Sequence, residues 1–118
     1  MYSLSLNSGS TNTQPSLSLQ QYSSNSWISV NQSGGNYVLP VSSTHSNFSL
    51  RDGIYFANNI NAVSFTSSNS NVIINSHYNG IYEYMNITGL PNGSSLVLSF
   101  DITSGSNHYT ETQTIYFS

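Results

Sequence analysis

Residues 95–102, SLVLSFDI, alternate without interruption. Leu96, Leu98, Phe100 and Ile102 fall on one side of the chain; Val97, Ser99 and Asp101 fall on the other. A period of two does not wrap onto one helix face, so this run predicts a strand with one buried side. The rest of the sequence points the same way. No window carries apolar residues at i, i+3, i+4 and i+7, and good helix formers are scarce. Short apolar runs recur at intervals of about 8–12 residues, punctuated by Gly, Asn, Ser and Pro, the pattern of a sandwich or barrel.

Strands are predicted near residues 2–6, 16–20, 27–31, 36–41, 47–50, 53–57, 62–66, 71–75, 81–88, 95–102 and 112–117. In the last run, TQTIYFS, Ile115 and Phe117 point inward. GSNHYTE before it reads as a hairpin loop. Asn-Gly pairs at 79–80 and 92–93 favour tight turns, because both residues accept positive φ. Pro40 in NYVLPV lacks a ladder donor, which predicts an edge position. The expected fold class is all-β: an Ig-like antiparallel sandwich over residues 16–118, preceded by a detached segment, residues 1–15.

The chain has 118 residues, enough for one domain with a modest core. Charge is nearly absent: one Lys or Arg (Arg51) and four acids (Asp52, Glu83, Asp101, Glu111), for a formal net charge of −3. Nucleic-acid binding needs a Lys/Arg footprint, and one arginine does not supply it. An anionic membrane surface is excluded as a partner on the same ground. No apolar run reaches the ~18 residues of a membrane span. Ser, Asn, Thr and Gln keep the surface wet instead. Such a composition also suits disorder, but Trp27, five Phe and nine Tyr do not. There is no cysteine, so thiol redox chemistry and cysteine-held zinc are excluded. With so few titratable groups, little should change between neutral and strongly acid pH. An extracellular location in a harsh, possibly acidic, medium is the expectation.

Candidates for chemistry are thin. His45, His77 and His108 lie in polar, loop-like contexts with no carboxylate adjacent and no short-spaced partner, as solvated loop histidines do. An assembled site of Glu83, Glu111 and a histidine, or an Asp52–Asp101 pair for glycoside hydrolysis, has only four acids to draw on. Arg51-Asp52-Gly53 reads as a turn carrying a surface ion pair, worth little. No G-x-S-x-G elbow marks a nucleophile. The chain is expected to be no enzyme, with no cofactor and no metal. Asn31, Asn47, Asn86 and Asn92 open N-x-Ser/Thr sequons, which matter if the protein passes a glycosylating pathway. Tyr82 and Tyr84 share one strand face, with Tyr78 just before the turn; they form a candidate sugar platform, or simply a tyrosine-covered sheet.

The first segment, MYSLSL, alternates Tyr2, Leu4 and Leu6 with polar residues, then gives way to NSGSTNTQP, which has nothing to bury. That spacer can reach about 30 Å, far enough to enter a neighbouring molecule. A strand donated to another sheet is a known mode of β-augmentation, and head-to-tail donation builds a filament. On Ser/Asn/Thr/Tyr richness, scarce charge, absent Cys, the four sequons and the detached MYSLSL, the chain resembles the subunits of archaeal thread-type surface filaments. The resemblance covers most of the chain as overall character. It implies donor-strand assembly, heavy N-glycosylation, self as the partner, and a role in adhesion or biofilm at the cell surface. On that reading Tyr2, Leu4 and Leu6 form the donated row. Leu96, Leu98, Phe100, Ile115 and Phe117 form the acceptor groove or its floor. The alternatives are a carbohydrate-binding module or lectin using Tyr78, Tyr82 and Tyr84, and a viral coat or surface protein.

Overall fold

The computed structural model describes residues 14–42, 47–69, 72–76, 78–88 and 90–118, with backbone alone for 73–76. The donor row Tyr2, Leu4 and Leu6, and with it the first predicted strand, lies outside these residues. Ten strands follow in order: β1 Ser16–Ser23, β2 Ser26–Ser29, β3 Gln32–Ser33, β4 Asn36–Leu39, β5 Phe48–Tyr55, β6 Ala62–Ser67, β7 Val72–Ser76, β8 Tyr82–Ile87, β9 Ser95–Ser104 and β10 Asn107–Phe117. No helix occurs among the described residues. The strands form two five-stranded sheets, ordered β2-β1-β5-β8-β7 and β3-β4-β10-β9-β6.

The two sheets bury their inner rows against each other, which makes the molecule an all-β sandwich. One sheet contributes Leu19, Leu50, Ile54, Met85 and Ile87; the other contributes Leu39, Leu96, Leu98, Phe100, Ile102, Ile115 and Phe117. Phe48 and Phe117 meet across the gap with ring centroids 6.1 Å apart. Each such side chain, fully buried, stabilises the fold by about 1.5–3 kcal/mol. The alternation read in 95–102 is the inner row of β9, and it continues to Ser104.

Short turns set the register. Ser24 and Asn25 adopt φ of 52° and 65° and close the β1–β2 hairpin, so Tyr22 faces Trp27. Two positive-φ residues match the twist of a two-residue hairpin, and Asn tolerates that region. The Asn-Gly turns behave as expected: Asn79 Oδ1 accepts from the Ile81 and Tyr82 amides, and Gly80 and Gly93 take φ of 102° and 91°.

Three expectations change. Arg51-Asp52-Gly53 is not a turn but the middle of β5, which merges the predicted strands 47–50 and 53–57. Arg51 and Asp52 therefore face opposite sides of a sheet and make no ion pair. GSNHYTE is mostly strand: only Gly105 and Ser106 turn, and His108 to Glu111 belong to β10. The strand before Pro40 is not an edge. β4 lies between β3 and β10, and Pro40 follows its last residue.

Candidate functional site

β10 is 11 residues long, yet β4 pairs in parallel with only Ile115, Tyr116 and Phe117. Upstream of these, the side of β10 away from β9 has no strand against it among the described residues. The bonding pattern shows which groups face that side. Ser118 bonds Leu39 and Val41 towards β4, whereas Phe117 bonds Ser94 and Gly93 towards β9. Alternation then turns the N–H and C=O of His108, Thr110 and Thr112 to the open side. All three residues are exposed. Below them is a cleft of about 330 Å³ where β1 faces β4 and β10, lined by Leu17, Tyr37, Glu111 and Gln113 among others. The cleft surface is mostly polar, with Leu17 and the largely buried Tyr37 as its apolar side chains.

The five predicted acceptor residues lie elsewhere. Leu96, Leu98, Phe100, Ile115 and Phe117 are at most 1 % exposed, covered by the opposite sheet. Their side chains belong to the core between the two sheets.

Beside the seam the core is polar. Asp52 and Glu83 are direct cross-strand partners on β5 and β8, both pointing inward, at 0 % and 1 % exposure. Gln113 Nε2 crosses the sandwich and donates to Asp52 Oδ1 at 2.7 Å. Asp52 Oδ2 and Gln113 Oε1 have no hydrogen-bond partner among the described residues. Burial pushes the Asp52 carboxyl up to about 7; the Gln113 bond opposes this and the Glu83 charge adds to it. The pair is closed off from solvent, so its titration acts on stability. The signal was legible: Phe48, Leu50, Asp52 and Ile54 are one alternating inward row.

The other candidates separate. Asp101 lies on the exposed side of β9, 4.0 Å from His108 Nδ1, and is not brought to Asp52. No three His, Asp or Glu side chains converge on a metal position among the described residues; His45 and His77 lie outside them. Asn31, Asn47 and Asn92 are exposed, and Asn86 is half-buried on β8.

Tyr82 and Tyr84 do share a face, the outer side of β8, with centroids 5.9 Å apart. Tyr78 does not join them. Its hydroxyl donates to the Gly80 carbonyl at 2.8 Å, and its ring packs against the core from the loop. The sequence reading missed the companions on that face. Trp27 stands 5.7 Å from Tyr84 and 5.3 Å from Tyr22. Arg51 lies over both Tyr82 and Trp27, at 3.8 and 4.5 Å. Only the β1–β2 turn brings Tyr22 and Trp27 together, and only the β1–β5–β8 register adds Arg51.

No family model, no curated protein and no solved structure matches this chain.

Proposed function

We propose that the protein is a structural subunit of an extracellular filament, in which residues 1–10 of one copy pair with the open side of β10 in the next. The observation that carries this reading is the stretch at His108, Thr110 and Thr112, which no strand flanks on the side away from β9 among the described residues, above a mostly polar cleft that includes Leu17 and Tyr37. MYSLSL has the length and alternation to occupy it, with Tyr2, Leu4 and Leu6 turned to the cleft. An unprotected edge is an aggregation hazard unless it has an intended partner. The order β1-β5-β8-β7 opposite β4-β10-β9, with β4 parallel to β10, supports an Ig-like assignment. Exposed sequons at Asn31, Asn47 and Asn92 suit a glycosylated surface that lacks charge. The role is mechanical, in adhesion or biofilm, and non-enzymatic.

Two variants test it. Deleting residues 1–12 should leave folded monomers that no longer form filaments by sizing and negative-stain microscopy. Thr112→Pro removes an amide that faces the open side and not β9, so it should block assembly and spare the fold. A full-length chain that stays monomeric, or filaments unchanged by both variants, refutes the reading.

A further inference from the structure

We propose that the outer face of the β2-β1-β5-β8 surface is a binding site for an acidic glycan, with sugar rings on the aromatic row and a sugar carboxylate on Arg51. This site is independent of filament assembly, since the open side of β10 belongs to the other sheet.

The row is continuous. Tyr22, Trp27, Tyr84 and Tyr82 follow one another at centroid spacings of 5.3, 5.7 and 5.9 Å. Tyr55 extends it, lying on the same outer face beside Tyr82. Gly53 makes room for this last ring. A Cβ at position 53 would stand 2.6 Å from the Tyr55 hydroxyl and 2.8 Å from two ring carbons, so Tyr55 lies across the strand only because residue 53 has no side chain. Tyr22 and Tyr55 remain about half exposed, at 49 % and 47 %. A sugar ring has an apolar C–H face and a hydroxyl rim. Successive rings are tilted by 63–70°, edge to face, so a sugar would stack on single ring faces such as those of the half-exposed Tyr22 and Tyr55 and reach phenol hydroxyls with its rim; the outward Gln20 and Ser29 add polar groups at the edge.

Charge selects the acidic class. Arg51 is the only Lys or Arg in the chain. On its own strands, Asp52 and Glu83 point to the interior; Asp101 and Glu111 belong to the other sheet. This face is therefore positive in a chain of net charge −3. Gln20 Oε1 accepts from Arg51 Nε at 2.7 Å, and the Trp27 and Tyr82 rings hold the guanidinium plane. The two terminal nitrogens take no hydrogen bond among the described residues. A pre-positioned guanidinium with two free nitrogens matches a carboxylate in bidentate geometry.

Trp27 is the only tryptophan, so its fluorescence reads the site directly. The full-length protein is titrated with a galacturonic acid oligomer, with its fully methyl-esterified form and with a neutral glucose oligomer. The acid oligomer should quench Trp27 saturably and bind more weakly as salt rises; the other two should bind far less. Arg51→Gln should weaken binding of the acid oligomer about tenfold, the loss of one charged hydrogen-bonding partner, while the circular dichroism stays native and the urea midpoint shifts only slightly. Gly53→Ala should weaken it as well, by swinging Tyr55 off the face while the circular dichroism stays native. Equal binding of all three oligomers, or no response at millimolar acid oligomer, overturns the proposal. So does a Trp27 signal that follows protein concentration alone and vanishes in Arg51→Gln, because a second copy would then be the occupant.

Discussion

On the outer face of β5 and β8, Arg51 lies among Trp27, Tyr82 and Tyr84 at the edge of water; on the inner face of the same two strands, Asp52 and Glu83 are closed into the core. Arg51 and Asp52 are consecutive, yet a sheet separates their side chains. The cation cannot neutralise the acid one bond away in sequence. Burial raises the Asp52 carboxyl to about 7, so below that pH it mostly holds a proton, while Arg51 lies on the side that faces solvent. Strand alternation thus sorts one basic–acidic dipeptide into two environments, a closed core below the sheet and a solvent-facing aromatic surface above it.

The contrast breaks most visibly in the core. Met85, inward on β8 and 0 % exposed, should cost about 2–5 kcal/mol on replacement by Ala. Tyr84, its outward neighbour, should cost about 1 kcal/mol or less, mostly lost aromatic contacts. Chemical denaturation of Met85→Ala and Tyr84→Ala checks the pair.

Next in size is the pH response of the inner face. The Asp52 carboxyl rises from 3.8 to about 7 on folding, so between those values the folded state holds a proton that the unfolded state has released. Contrary to the small pH response expected from so few titratable groups, stability then falls as pH rises from about 4 to 7, by up to about 4 kcal/mol for one carboxyl at 1.36 kcal/mol per pH unit. Below about 4 the contribution is fully present. The urea midpoint should therefore be higher at pH 4 than at pH 7. Asp52→Asn keeps an acceptor for Gln113, and should raise the midpoint at pH 7 and flatten the profile. A profile of Asp52→Asn as steep as the wild type would place the proton elsewhere. The smallest effect belongs to the outer cation: Arg51→Gln should change stability by about 1 kcal/mol or less, the range of a partly exposed cation–π contact.

Much of the inner face was legible in the sequence, because a strand's facing is a local property. The rows Leu96, Leu98, Phe100, Ile102 and Ile115, Phe117 are buried as their alternation says, and Gly80 and Gly93 turn where Asn-Gly stood. β5 was misread for an equally local reason. Gly53 beside Arg51 and Asp52 carries strong turn signals, and the alternation of Phe48, Leu50, Asp52 and Ile54 ran beneath them. The glycine is explained by Tyr55, which needs the space above it. The aromatic face was half seen: Tyr82 and Tyr84 share one strand, whereas Trp27 and Arg51 come from two others.

By itself, then, the sequence determined that this chain builds strands, which apolar rows most of those strands bury, and that its surface is made of hydroxyls and amides with almost no charge. Only the tertiary structure decided that Asp52 meets Glu83 under the sheet, that Arg51 meets Trp27 and Tyr82 above it, and that β4 covers only Ile115–Phe117 on the side of β10 away from β9 among the described residues. The physical reason is the range of each constraint. Side-chain alternation is set by the backbone of one strand, while neighbours across a sheet are set by register, which turns and packing fix over distant parts of the chain.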